Sequence, residues 1–484
     1  MRNVSAKPLM SPESDNGCGS AGRNSDQPAS LPDLVALAAA SGDAYACLAV
    51  YPAAPVEARA GLETVMFARR RDRLRWAAAP WTPASVLDAL SWLEDPAIDR
   101  RLAKHMATPV SALDRIEARG CEVMVSVLMA GHPASDSARL ARLLEALGPP
   151  VAPVVAANPA ADRGLLERCL EMNPKCSAGA VAMSRAADSP LLARVWEHAD
   201  AYVQAEVARH PACPPELLKK AAMSPLVLLR RKAAGNPGAP VAMLRRLSGD
   251  PEPVVRAAAV GHPMLEAAVL TQSCNDSEAM VRRRLARRRD LGEGVISRLA
   301  LDADPWVRRW LGRNALVGPD WLARLARDPV MEVRRSVGRN RNCPEALQER
   351  LAGDAAAWVR AAIAFRTDLR RDIADRLAHD DSVDVLAGLA RNPVSAAAVL
   401  MGLVRHPHED VRRGLAHNPA APLEGLRRLL RDDYPFNRVA ALGHRALEDS
   451  DVWSMTRDPE PQVRFTAWAA MVKRLRAEQD NQWQ

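Results

Sequence analysis

Residues 328–353 read DPVMEVRRSVGRNRNCPEALQERLAG, and the 26 that follow, residues 354–379, read DAAAWVRAAIAFRTDLRRDIADRLAH. Each stretch opens on an Asp, sets a Val-Arg pair five and six residues later, and closes near a Leu-Ala pair. Stepping outward by the same interval finds Val255, Val281, Val307, Val385, Val411 and Val463 in the Val column. Seven residues after the Val position runs a second column, His132, Asn158, His210, Asn236, His262, Asn314, Asn340, Asn392 and Asn418, usually followed by Pro. No insertion interrupts the register from residue 132 to 470. A period held this strictly is the signature of stacked units, each burying its apolar face only against its neighbours.

Within one unit, Pro344 opens a helix in which Leu347 and Leu351 fall four apart on one face. Asp354 marks a turn, and a second helix from Trp358 to Phe365 points Val359 and Ile363 to the core. The Asn-Pro column ends that helix, because the residue before Pro is pushed out of helical geometry. We call the two helices A and B. The fold expected is all-α, a right-handed α-solenoid of about fifteen two-helix units, about 150 Å long at the usual helix spacing of roughly 8–10 Å.

The unit Asp-Pro-x-x-x-Val-Arg…Ala-x-Asn-Pro…Leu-x-x-Leu-Ala resembles the leucine-rich repeat variant family and, more distantly, HEAT repeats. The first resemblance implies an α-helix alternating with a shorter, partly 3₁₀ helix. One type in that family carries an N-terminal iron–sulfur cluster on clustered cysteines. Here only Cys18 and Cys47 lie in that region, so no cofactor is expected. The organisation expected is a disordered tail over residues 1–30, rich in Ser, Asn, Gly and Pro, then an irregular helical cap over 31–75. The repeat follows over 76–476, with a polar tail over 477–484.

Aromatic residues make up 4% of the chain and the net charge is +8, carried almost entirely by Arg. The eight cysteines are scattered without a paired spacing and read as reduced thiols. No apolar run is long enough to cross a membrane, so a cytoplasmic location is expected.

Two kinds of polar residue then separate. An Asp precedes an Arg by six residues in unit after unit, as in Asp302/Arg308 and Asp328/Arg334. The Asp can cap helix B while the Arg reaches a carboxylate of the neighbouring unit, so this ladder reads as structural. The His residues of the Asn column read as substitute hydrogen-bonding groups. His406, His408, Glu409, Asp410 and His417 are the densest set of metal-ligand types, yet they fall on repeat columns, and no metal is expected. No phosphate loop, nucleophile elbow or metalloprotease helix is present, and no catalytic residue is assigned.

The second kind departs from the repeat. Two and six residues after the Val, where helix B faces away from the core, three successive units carry Arg283/Arg287, Arg309/Arg313 and Arg335/Arg339. Arg284 and Trp310 stand where other units have Ala, Ser or Gly, and Arg288, Arg289 and Arg341 lie nearby. The partner-binding candidates are therefore Arg283, Arg284, Arg287, Arg288, Arg309, Trp310, Arg313, Arg335, Arg339 and Arg341. Residues 281–341 hold 16 Arg against seven acidic residues, more surplus charge than the chain's net +8. The resemblance to HEAT repeats implies that helix B lines the concave face. The function expected is a non-enzymatic scaffold for an acidic protein or peptide. Nucleic acid is the alternative, since Arg interleaved with Trp306, Trp321 and Trp358 suits phosphates and bases. A HEAT-like DNA glycosylase ranks last, because every central Asp it would need sits in the ladder.

Overall fold

In a computed structural model that describes residues 27–482, the chain is an α-solenoid of repeated helix pairs, with no strand among the described residues. A helices such as Glu293–Ala300, Pro319–Leu325 and Glu345–Ala352 alternate with B helices such as Ala279–Ala286, Pro305–Gly312, Met331–Gly338 and Ala357–Ala364. The B helices are α-helical, against the 3₁₀ character the resemblance implied. The 3₁₀ turns among the described residues are Tyr51–Ala53, Ser91–Leu93 and Met455–Arg457. The Val column is fully buried at Val255, Val281, Val307, Val333, Val359, Val385, Val411 and Val463.

Two hydrogen-bond ladders stitch the units. In the first, each Arg forks onto the Asp 20 residues ahead while its remaining nitrogen holds carbonyls of its own turn. Arg308 donates Nε to Asp328 at 2.6 Å and a terminal nitrogen to the same carboxylate at 3.0 Å, then reaches the Asp302 carbonyl at 2.6 Å. The same bonds recur from Arg230, Arg256, Arg282, Arg334, Arg360, Arg412 and Arg438. The Asp receives the backbone N–H two residues on, as Asp354 does from Ala356. Burial pushes the Asp354 carboxyl up, and the bonds from Arg334 and Ala356 more than offset this, leaving it below its ordinary value. Between Arg230 and Arg464 the ladder breaks once, and both partners change there: Leu386 stands at the Arg position and His406 at the Asp it would meet.

In the second ladder the Asn column bonds backward. Asn340 donates to the carbonyls of Asn314 and Gly312, Asn392 to those of Arg366 and Ala364, and Asn418 to those of Asn392 and Ala390. His132, His210, His262 and His444 do the same through Nε2, while Nδ1 accepts the N–H two residues on. Burial holds the His132 and His262 pKa values below the ordinary range. These groups satisfy carbonyls freed at the end of each B helix, which water cannot reach.

Curvature follows from residue size. Successive B helices meet through small side chains: a Cβ on Gly388 would lie 2.9 Å from that of Ala364, and one on Gly414 would lie 2.7 Å from that of Ala390. The A helices, by contrast, present Leu and Ile to the core. The stack therefore bends with B inside and A outside, and it bends through a full circle. Arg464, the last ladder Arg, donates Nε to Asp43 at 2.6 Å, and Asp43 accepts the Tyr45 N–H two residues on, as a ladder Asp does. Ala44–Val50 packs on Pro461–Gln482, Trp81 meets Phe465 at 5.4 Å between ring centroids, and one buried cluster joins Leu400–Leu475 to Leu34–Ala259.

The molecule is a closed ring, and the two solenoid ends expected to need separate caps cover each other. Asp43, within the stretch 31–75 expected as a cap, receives the last ladder Arg. The last helix also runs on to Gln482 through most of the expected polar tail. The tail expected over residues 1–30 lies mostly outside the described residues. About 17 B helices at about 8–10 Å, each about 10 Å thick, leave an opening on the order of 35 Å across.

Candidate functional site

The Arg grid lies on the inner face. Trp306 and Trp358 are among its exposed large side chains, each about half exposed. Trp321, read from sequence as their neighbour, belongs to the outer helix Pro319–Leu325, where its indole N–H donates to Glu293 at 2.7 Å.

Three arginines stand over indole rings. The Arg287 guanidinium stands 4.4 Å from the Trp310 ring centroid, Arg309 stands 4.7 Å from Trp306, and Arg335 stands 4.6 Å from Trp358. A guanidinium over an aromatic face gains cation–π attraction while its N–H groups remain hydrogen-bond donors. Arg309, Arg313, Arg335 and Arg339 crowd together: Arg339 has its pKa lowered first by burial and then by repulsion from Arg335, Arg313 and Arg309. Among the described residues none of these four makes an ion pair, and Arg335 Nε is buried without a hydrogen-bond partner.

Two candidates are placed otherwise. Arg288, expected on the binding face, is only 6% exposed. It occupies the Asn column and does that column's work, donating to the carbonyls of Val260 at 2.7 Å and His262 at 2.6 Å while Asp290 neutralises it. A guanidinium carries more donors than an amide, so Arg can replace Asn wherever a carboxylate stands two residues on, and Arg366 with Asp368 repeats the arrangement. Arg283 is inner-facing but committed, its Nε donating to Asp304 of the next unit at 3.0 Å. Arg284 is exposed and folds back over Gly261, where an added Cβ would come within 2.7 Å of the guanidinium carbon. Gly261 is thus what lets a long side chain occupy a position that is small elsewhere.

At one end of the grid Arg287, Arg289, Arg313 and Arg341 line a pocket of about 420 Å³ with Trp310, Leu316 and Asn314. No carboxylate lines it. His408, Glu409 and Asp410 bring ligand-type atoms within 4.8 Å of one another. These groups already have partners, His408 Nδ1 accepting the Asp410 N–H and Asp410 pairing with Arg413. Cys169, Cys213 and Cys343 are buried thiols pushed up to about 11 by desolvation, so they stay protonated and unreactive at neutral pH. No described helix is long and apolar enough to cross a membrane.

These features define a helical-repeat ring with a basic, aromatic-lined inner face. No protein-family model matches the chain, and no curated protein matches it. Among solved structures it is similar to a designed armadillo repeat protein at 13% identity, over 52% of this chain and 97% of that one, with a TM-score of 0.14. It is similar also to an engineered protein from a structural genomics programme, at 13% identity over 59% of this chain and 95% of that one, with a TM-score of 0.10.

Proposed function

We propose that this ring is a non-enzymatic binding scaffold whose inner face holds an acidic segment of a polypeptide partner. The observation that carries this reading is the set of stacked, unneutralised arginines. The ladder arginines each fork onto a carboxylate, whereas Arg287, Arg309 and Arg335 stand over indoles and make no ion pair among the described residues. Unpaired guanidinium groups fit carboxylates, which accept two parallel N–H bonds from one guanidinium.

Two features favour a polypeptide over nucleic acid. The indole faces on which bases would stack are covered by arginines, so stacking would first have to displace a cation. The basic track also stops after three units, with Ala257 and Gly261 on one side and Ala361 and Phe365 on the other. At roughly 8–10 Å per unit that is a site of about 30 Å, enough for about nine extended residues. The Asp-Pro-x-x-x-Val-Arg signature is what supports assigning the unit to the leucine-rich repeat variants, with helix B α rather than 3₁₀. The charge of the face and the absence of any long apolar helix among the described residues suit a cytoplasmic setting.

The test is a tryptophan-fluorescence titration with a twelve-residue poly-glutamate peptide and, separately, a twelve-nucleotide oligo-dT. Peptide binding that perturbs the indoles and weakens with salt is expected. Tight oligo-dT binding with no response to the peptide would overturn the reading in favour of nucleic acid.

A further inference from the structure

At one end of the inner grid, where the B helices give way to loops, the charge is more concentrated than a run of carboxylates needs, and this inference rests on the reading above. Arg287, Arg289, Arg313 and Arg341 converge on the pocket of about 420 Å³ beside Trp310, and the lining contains no acidic side chain. None of the four makes an ion pair among the described residues, whereas Arg283 in the same unit has Asp304 and Arg413 has Asp410. Arg287 stands over Trp310 at 4.4 Å, a contact that favours its guanidinium lying beside the pocket before a ligand binds. Asn314, also in the lining, already spends its amide on the carbonyls of Ala286 and Arg288, which leaves the arginines as the pocket's available donors.

From this convergence of four unneutralised guanidinium groups on one recess we infer that the pocket is a phosphoryl subsite, which takes a phosphorylated side chain within the acidic segment. A carboxylate brings one negative charge and two oxygens in a plane, so it can engage two of the four arginines and leaves the others repelling. A phosphoryl group brings close to two negative charges and three oxygens in a tetrahedral spread, which three or four guanidinium groups can fork at once. The pocket volume exceeds that of a phosphoryl group and leaves room for the side chain that carries it. A polynucleotide would also supply phosphates, but the short basic track and covered indoles disfavour it.

The experiment uses the full chain and three labelled fifteen-residue Glu-Gly peptides that differ only at a central Ser, phosphoserine or Glu. Their anisotropy is measured on wild type and on the Arg313→Gln/Arg341→Gln variant, whose two sites are exposed, with circular dichroism as the folding control. We expect wild type to bind the phosphoserine peptide about tenfold tighter than either other peptide, a charge-assisted gain. That advantage should fall to within about twofold in the variant and be competed by millimolar inorganic phosphate. The Ser and Glu peptides should each lose affinity by a similar, smaller factor in the variant, since Arg313 also belongs to the grid, so the readout is the ratio of phosphoserine to Ser affinity. If all three peptides bind wild type alike, or the variant keeps the phosphoserine advantage, the subsite is refuted while the scaffold reading stands. If no peptide binds, or only an oligo-dT control does, both are refuted.

Discussion

Replacing Arg464 with Ala tests the ring where its two ends meet. Arg464 donates to Asp43 at 2.6 Å and to the carbonyls of Asp458 and Pro459 at 2.9 and 3.0 Å, and both members of the pair are mostly shielded from water. Removing the guanidinium leaves the Asp43 carboxylate with the Tyr45 N–H and no cation. A hydrogen bond to a charged group contributes about 1.5–3 kcal/mol, so closure should weaken by about 2 kcal/mol, a factor of about 30 in the opening equilibrium. Apolar packing of Ala44–Val50 on Pro461–Gln482 remains, so the ring should open more often without staying open. Native-state hydrogen exchange reads this directly as local opening. Amides of Ala44–Val50, more than 400 residues from the mutation in sequence, should exchange about 30-fold faster, and those of Met331–Gly338 should change far less. Unchanged exchange in Ala44–Val50 would mean that the ends do not meet.

Three further outcomes follow from the ladders and from the close packing of B helices. Arg308→Ala should cost about 2–4 kcal/mol by denaturant melting, because it strands Asp328 and two carbonyls in a half-buried site, and a loss under about 0.5 kcal/mol would contradict the structural reading. His262 is held neutral with its pKa below the ordinary 6.5, so the unfolded chain takes up its proton first. Its stabilisation is present above about pH 6.5 and is lost as pH falls through that value towards the folded pKa. His262→Asn, which restores the commoner residue of the column, should flatten the fall in melting temperature between pH 7 and 5 relative to wild type. Gly388→Val should lower stability by about 1–3 kcal/mol through overpacking against Ala364 and Phe365, measured by thermal melting, whereas Gly318→Ala, in open space, should change little.

The repeat and the two helices of each unit were legible because the same apolar spacing recurs, and each unit answers the same local question. Ring closure was not, because it depends on accumulated curvature. About 17 units must each turn by about 21°, and that angle is set by close B-helix spacing at Gly and Ala positions that a residue pattern does not measure. One clue was present: Arg464 is a ladder Arg whose forward partner position, 484, is a Gln. The Arg283–Arg341 patch was legible as a departure from the repeat, but composition could not sort it. Arg288 resembled its neighbours in sequence and differs in the Asp two residues on, a pattern that Arg366-Thr367-Asp368 repeats. Arg283 needed Asp304, a residue of the next unit, to show that it is already paired. The converging pocket was invisible, since Arg289 and Arg341 lie in different loops and meet only through stacking of the units.

The claim that the inner face binds an acidic segment is tested most directly by reversing equal charge on the two faces of the same units. Arg309→Glu/Arg313→Glu/Arg335→Glu alters the inner grid, and Arg324→Glu/Arg327→Glu/Arg350→Glu alters exposed outer positions. Affinity for the poly-glutamate peptide at fixed salt should fall at least about 30-fold for the inner triple and stay within about threefold of wild type for the outer one. Equal losses in both would show that net charge alone attracts the peptide, and the inner-face account would be wrong.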